Sequence, residues 1–468
     1  MSMSGFDPTA QDELWICADQ IVRAPGHPFY AKLNRLLIEE GLDRRLEELC
    51  APHYGIGGRP SIAAGVYLRM LLIGYFEGID SQRGIAWRCA DSLSLHEFLG
   101  FRLTERTPEH SSLTRIRKRL PLQVHEQMFA MALEIAHRRG LLRGKTVLVD
   151  STTLEANAAM RSIVRKDTGE NWTQYVTRLA EAEGISEPSA EDLARFDRKR
   201  KGKKVSNEDW ESRTDPDARI AKMKDGTTHL AYKAEHAVDL DSGMILAAAI
   251  EPADASDAQT IAGRMIDTQV NLIRAGSEQA LEEAVADKGY HKTQTLRVLA
   301  DLGIRAYIPE KKERGKRRWD QWTPEQNEAY RANRRRVRGP RAKRLMRRRG
   351  ELVERSFAHV CETGGGRRSW IRGFEEVAKY YLLRTMAFNL GVTLRSLAGI
   401  GKPRTLQRGR QGLIDAIFSL FDSFISLLAK LDRFDRLDFR RARGAQVAAA
   451  WALSRFGTLT TTPFSTGC

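Results

Sequence analysis

Three carboxylates stand where the chain could gather them around divalent metal. Asp150 closes the apolar run Thr-Val-Leu-Val-Asp, Asp287 follows Ala-Val-Ala, and Glu354 lies in Glu-Leu-Val-Glu-Arg-Ser-Phe. An apolar strand ending in Asp aims that carboxylate out of the sheet edge. Hard cations such as Mg2+ take oxygen ligands and keep positions open for water and phosphate. Two such ions roughly 3.5–4 Å apart can activate an attacking oxygen and stabilise a leaving one. A general acid–base pair would also use carboxylates, but would leave the neighbouring charge unexplained. One Asp after a strand, taken alone, reads as a turn or helix cap. The argument rests on three of them beside residues 311–350, which hold 17 Lys+Arg against 4 Asp+Glu. Charge concentrated in this way is an electrostatic footprint for phosphate, the alternative being a solvated basic loop.

The elements that must position these groups follow from periodicity and punctuation. Strands are expected at 145–150, 228–238, 244–250, 284–286 and 305–308, with the turn Asp241-Ser242-Gly243 making the second and third a hairpin. Helices are expected at 258–274, 293–302, 351–360 and 374–394. Consecutive Val147, Leu148 and Val149 suit a strand buried on both faces and central in its sheet. The order is that of a mixed α/β sheet, whose ligands collect at carboxyl ends of strands. Upstream, residues 1–57 read as short helical pieces, and helices are expected from Pro60 and at 83–90, 95–99, 112–120 and 124–139. The helix at 112–120 carries Arg115, Arg117, Lys118 and Arg119 close together. This set could be a helix-turn-helix reader of DNA or an ordinary bundle with a basic surface.

The totals bound the rest. A chain of 468 residues exceeds one simple core, and 42% hydrophobic residues support folded domains. The net charge is +16. Five scattered cysteines (Cys17, Cys50, Cys89, Cys361 and Cys468) have no ligand spacing, which argues against zinc or a disulfide framework and suits a reducing cytoplasm. The start Met-Ser-Met-Ser-Gly-Phe-Asp has no basic region or apolar run, so no signal peptide is expected. Leu413–Leu431 is apolar but carries Asp415, Asp422 and Lys430, which suits an amphipathic interaction helix rather than a membrane span.

The joined motifs resemble a known family. Val149-Asp150-Ser-Thr, the stretch from Asp215-Pro-Asp to Ala231-Tyr-Lys233, Asp287-Lys-Gly-Tyr290 and Val353-Glu-Arg-Ser-Phe357 look like bacterial insertion-sequence transposases of the DDE class. Residues 59–120 look like the helical amino-terminal domain of those proteins. The resemblance spans roughly residues 30–400 and implies an α/β fold. Its catalytic part would be an RNase H-like mixed sheet flanked by helices, preceded by an all-α amino-terminal domain. It implies a helical, DNA-binding region at 1–125 and a catalytic domain at 140–398 with insertions at about 161–227 and 311–350. Residues 399–468 would be a helical tail that matches nothing.

The resemblance further implies Asp150, Asp287 and Glu354 as the catalytic and metal-binding triad, and two Mg2+ ions with Mn2+ as substitute. Cut-and-paste transposition of terminal inverted repeats would follow, with double-stranded DNA as partner, a homodimer or larger synaptic complex, and a bacterial cytoplasmic, nucleoid-associated location. Relatives often carry Tyr, Arg and Lys or Arg seven before, four before and seven after the glutamate; here those positions hold Arg347, Gly350 and Cys361. Arg349, and Arg367 or Arg368, are the substitutes, and Glu351 is a rival to Glu354.

Other residues carry open alternatives. Lys222, Lys224 and Lys233 could contact phosphate or be solvated, and Arg347 and Arg348 extend the basic set. Trp319 and Trp322 could hold an unstacked base at a cleaved end or anchor a local fold. His236 reads as a satisfied structural histidine and Tyr290 as core support. A DNA-binding regulator derived from a transposase and a structure-selective nuclease are the rival functions.

Overall fold

The computed structural model describes residues 26–55, 57, 61–102, 104–200, 206–223, 226–311 and 321–403. The chain divides into two compact units, Met1–Gln407 and Arg408–Cys468, and every described residue belongs to the first. Trp319, Lys224 and the expected helix at Leu413–Leu431 lie outside the described residues.

The helical amino-terminal region holds α1 (Pro28–Glu39), α2 (Leu42–Cys50), α3 (Ala64–Glu77), α4 (Gln82–Ala90), α5 (Leu93–Leu99), α6 (His110–Arg119) and α7 (Leu122–Arg138). The last of these spans the expected boundary at residue 125 and packs against α14 (Phe374–Ala398). One core cluster runs from Phe29 through the sheet to Leu394. The helical region and the sheet are therefore packed together rather than joined by a free linker.

The sheet is built on β1 (Thr146–Glu155). Its neighbours are β5 (Thr228–Asp239), antiparallel, and β7 (Glu283–Val285), parallel. Beyond β7 lies β8 (Arg305–Tyr307), parallel; beyond β5 lie β4 (Arg219–Lys222) and β6 (Ile245–Pro252), both antiparallel to it. β1 is central, and Val147, Leu148 and Val149 are fully buried, as a strand covered on both faces requires. It runs five residues past the expected end because β5 pairs along it as far as Glu155. The helices α10 (Asp257–Arg274) and α11 (Thr293–Asp301) provide the crossovers from β6 to β7 and from β7 to β8. This is the mixed α/β arrangement expected of the chain, with a helical region before it.

The two expected insertions differ. Residues 161–227 hold a two-stranded sheet of β2 (Ile163–Arg165) and β3 (Trp210–Ser212) with α8 (Trp172–Ala182) and α9 (Ala190–Lys199). These helices close over their own small core of Val176, Ala180 and Leu193. The basic stretch is largely helix: α12 (Pro324–Arg338) and α13 (Pro340–Phe357). Here the expectation of an insertion ending at 350, followed by a helix at 351–360, is corrected. Pro324 and Pro340 each open a helix, and Thr323 with Gln326 forms a capping box. Arginine is a good helix former, so a high density of charge does not prevent helix.

Candidate active site

Asp150 and Asp287 are brought together by hydrogen-bond register. In the parallel pair β1–β7, Thr146 is opposite Glu283, Val147 opposite Ala284 and Leu148 opposite Val285. The offset is 283 − 146 = 137, and the aspartates are separated by 287 − 150 = 137 as well. Asp287, two residues past the last paired residue of β7, thus holds the register position that matches Asp150.

The Asp150 carboxylate is engaged within the fold. Its Oδ1 accepts from the Ser151 amide at 2.9 Å, and its Oδ2 lies 2.8 Å from Arg349 Nη2. Arg349 also donates from Nε to the Val149 carbonyl at 3.0 Å. Opposite Asp150 on β5 is His236, whose ring stacks on Phe357 at 4.1 Å and meets the Ser356 hydroxyl at 2.8 Å. Cross-strand partners share a sheet face, so Asp150 faces the side covered by α13. The other nitrogen of His236 meets the Tyr381 hydroxyl at 2.8 Å on α14. Complete burial lowers the His236 pKa to about 3, so the ring is neutral near pH 7. It is the satisfied structural histidine expected, and it clamps α13 and α14 onto the strand beside Asp150.

Asp287 caps the single turn Lys288–Tyr290, its Oδ1 accepting from the Gly289 amide at 2.7 Å. Tyr290, fully buried, donates its hydroxyl to Glu235 at 2.8 Å. Glu235 also accepts from Thr260 at 2.9 Å and Arg264 at 3.2 Å, so Tyr290 ties the Asp287 turn to β5 and α10. Burial, with the nearby Glu235 and Asp257 charges, keeps the Tyr290 phenol well above its ordinary pKa. Burial also pushes the Glu235 carboxyl up, opposed by Arg264.

A further carboxylate, Asp257 at the start of α10, is one that the sequence does not flag. It accepts from Ser151 Oγ at 2.9 Å and from Lys233 Nζ at 3.0 Å. A Cβ built on Gly289 would lie 2.8 Å from Asp287 Oδ1 and 3.1 Å from Asp257 Oδ2, so those oxygens are no farther apart than the two distances combined. An Asp in a first helical turn is so common for dipole reasons that spacing alone could not single it out.

Glu354 is not gathered with the aspartates. The face of α13 turned to the protein is Ala342, Leu345, Arg349, Leu352, Val353, Ser356 and Phe357; Glu351 and Glu354 are exposed. Glu354 comes five residues after Arg349, about 140° further round the helix. Glu351 is paired with Arg348 at 2.9 Å and Arg355 at 2.8 Å. Among the described residues, no three His, Cys, Asp or Glu side chains form a group that could hold a metal ion. In this arrangement two of the three expected carboxylates follow from paired strands at matching register positions, and a guanidinium rather than the third carboxylate meets Asp150.

The expected DNA contacts divide by where their charge goes. Arg115, Lys118, Lys222, Arg347 and Arg368 are exposed. Arg119 is exposed too, with its guanidinium 4.8 Å from the Tyr54 ring centre, and Arg348 is half-buried against Glu351. Three are corrected. Arg117 is buried and bonded to Glu376 at 2.7 Å, Lys233 is buried on the Ala255 carbonyl and Asp257, and Arg349 is buried on Asp150. Their charge is neutralised inside the fold. Arg367 is half-buried, bonded to Thr152 Oγ1, the Thr153 carbonyl and Glu362. Trp322 is half-buried with its ring 5.0 Å from that of Tyr330, a packing role rather than an open base platform.

A family model described as Transposase DDE domain matches residues 143–390, and one described as Transposase domain (DUF772) matches residues 17–119. No curated protein and no solved structure matches the chain.

Proposed function

Since the chain belongs to the family of transposases with a DDE domain, we propose that it cuts and rejoins DNA at the ends of an insertion sequence. The substrate would be the terminal inverted repeats, and the outcome cut-and-paste transposition by phosphodiester hydrolysis and strand transfer. The observation that carries the reading is the shared offset of 137 between strand register and aspartate spacing. Two carboxylates at matching register positions, one within β1 and one just past β7, offer the hard oxygen donors that a divalent cation prefers. Asp150 and Asp287 would hold Mg2+, or Mn2+ in its place, which would stabilise charge on the attacking and leaving oxygens of the phosphodiester. Glu354 is the proposed third ligand, and it reaches that role by a movement of α13 or its side chain.

The chain's own residues divide the remaining work. Arg349 orients the Asp150 carboxylate and neutralises it before substrate arrives. Tyr290 and Gly289 fix the turn that presents Asp287. Exposed Lys222, Arg347 and Arg368 contact phosphate, and α6 with Arg115, Lys118 and Arg119 binds DNA from the amino-terminal region. Joining two ends calls for at least a dimer in the synaptic complex. Among the described residues no helix is long and apolar enough to cross a membrane, and the proposed place of action is the bacterial nucleoid.

The test uses a plasmid carrying the reading frame with its natural flanks. Purified protein should nick at the element ends with Mg2+ and not with EDTA. Asp150→Ala and Asp287→Ala should lose nicking while still shifting a flank fragment in a gel. A second reading, a DNA-binding regulator without chemistry, is favoured by the Arg349–Asp150 pair and the outward Glu354. It predicts that wild-type protein binds the flanks and cuts neither strand.

A further inference from the structure

The segment after the glutamate helix pairs with the last residue of β1 through an isolated bridge. The Glu155 amide donates to the Arg367 carbonyl at 3.0 Å, and the Ser369 amide donates to the Glu155 carbonyl at 2.8 Å, giving a parallel bridge at Arg368. Side-chain bonds tether the segment further on: Asn157 Nδ2 donates to the Trp370 carbonyl at 3.0 Å, and the Asn157 carbonyl accepts from Arg372 Nε at 3.1 Å. Alternation then sorts the side chains. Arg367 and Ile371 turn inward, onto Thr152 and the hydrophobic core respectively, while Arg368, Trp370 and Arg372 are exposed.

The result is a cation–aromatic–cation stripe. Trp370 keeps 48% of its surface in solvent although Arg368 lies 4.7 Å from its ring centre and its Nε1 donates to Asp80 at 2.6 Å. An exposed indole held at its edge is a rigid plane flanked in sequence by two exposed guanidiniums, of which Arg368 also lies 3.6 Å from Glu155 and would exchange that loose pair for phosphate. Bases in a duplex are stacked on each other and offer no free face, whereas an unpaired strand offers one at each base. Glu155 is five residues beyond Asp150 on β1, about 17 Å at strand spacing. That is on the order of five stacked nucleotides along one strand.

We propose that Arg368, Trp370 and Arg372 form a binding site for unpaired DNA leaving the cleavage centre, with one base stacked on Trp370. This rests on the proposed DNA chemistry but can fail separately from it. The experiment measures anisotropy of a labelled 20-nucleotide oligothymidylate and of a labelled 20-base-pair duplex with the full chain. Trp370→Ala should weaken oligothymidylate binding about tenfold, within the range for loss of one base stack. Duplex binding should stay within about twofold of wild type. Trp370→Phe, which keeps an aromatic plane but loses the bond to Asp80, should stay within about threefold on both. Arg368→Ala with Arg372→Ala should lower the salt slope on oligothymidylate by about 1.4, at roughly 0.7 per phosphate contact.

Unchanged single-strand binding by Trp370→Ala, or equal weakening on both DNA forms, overturns the platform and leaves the DNA chemistry standing. Displacement of oligothymidylate by polyglutamate at equal charge concentration also overturns it, since the stripe would then be a general anion surface. Wild-type protein that binds neither DNA removes both proposals. Should Trp370→Ala melt markedly lower than wild type, the arginine pair and Trp370→Phe decide the question by the same readings.

Discussion

The aspartates and the glutamate are carried by different kinds of backbone, and the difference explains what the structure brings together. Asp150 lies within β1 and Asp287 just past the end of its parallel neighbour β7, where strand register sets position one residue at a time. Glu354 rides on α13, where each residue turns the side chain by about 100° and packing alone sets the phase. The buried face of α13 is fixed by Leu345, Arg349, Leu352, Val353 and Ser356, and that phase leaves Glu354 in solvent. Strand register transmits a site rigidly. A helix can carry a residue in or out of it by a modest rotation.

The largest effect should come from breaking the strand-borne pair. Asp150→Ala and Asp287→Ala should each lower end cleavage at least about a hundredfold, the scale of losing one preorganised electrostatic group. If the two act as one unit, the double variant should be no worse than the more damaging single variant. Multiplying losses in single-turnover cleavage would show that the register does not make them a unit.

The helix-borne side is tested by its two rival glutamates. Glu354→Gln should abolish cleavage, whereas Glu351→Gln should lose only exposed pairs with Arg348 and Arg355, worth well under ~1 kcal/mol. The reverse order in a nicking assay would assign the role to Glu351 and change the required rotation of α13.

Smaller in effect is the clamp that joins the two supports. His236→Ala removes ring contacts to Ser356, Tyr381 and Phe357, and should cost about 2–4 kcal/mol of stability as buried hydroxyls lose partners. The sign of its pH dependence follows from the pKa of about 3 in the folded chain against about 6.5 unfolded. The unfolded chain binds the proton first, so this contribution is full above about pH 6.5 and is lost as pH falls towards 3. His236→Gln should melt with a shallower pH slope than wild type in that window, and equal slopes would mean the ring is not held neutral.

The Arg349 pair comes next. Arg349→Met should cost about 1–2 kcal/mol, discounted because the Asp150 side chain is 28% exposed. It should also strengthen Mn2+ binding, read from free Mn2+ by electron paramagnetic resonance, because Asp150 no longer faces a competing cation. Weaker binding would mean that Arg349 is needed to orient the carboxylate.

The strand side is readable in the sequence because burial leaves a mark in residue type. Val147, Leu148 and Val149 announce a central strand, and Asp150 and Asp287 stand where two apolar runs stop. Their equal offset has no meaning until the strands are known to pair in parallel. Helix phase is less legible. The run from Pro340 to Gly350 is dominated by arginine, and nothing in its composition tells that Arg349 points inward while Arg347 points out. The same blindness affects Arg117 and Lys233, whose partners Glu376 and Asp257 are remote in sequence. Of the stripe at Arg368, Trp370 and Arg372 the sequence singles out only Arg368, because which neighbours face outward is set only once the segment meets β1.

The smallest expected effect gives the sharpest contrast between a glycine that touches the site and one that does not. Ala at 289 would place its Cβ 2.8 Å from Asp287 Oδ1, closer than side chains tolerate, so the carboxylate must shift by a few tenths of an ångström. The Gly289 amide bond to that oxygen would be strained with it, a cost of about 1 kcal/mol or less. Cleavage should fall by about tenfold, since a 1 Å misplacement can cost about a hundredfold. Gly263 is exposed on α10, and a Cβ added there would meet nothing within 4 Å. Gly263→Ala should therefore gain about 0.5–1 kcal/mol from helix propensity and leave cleavage unchanged. Equal cleavage by the two variants would mean that the position of Asp287 is not set by its turn, and the rigidity assigned to the strand side would lose its support.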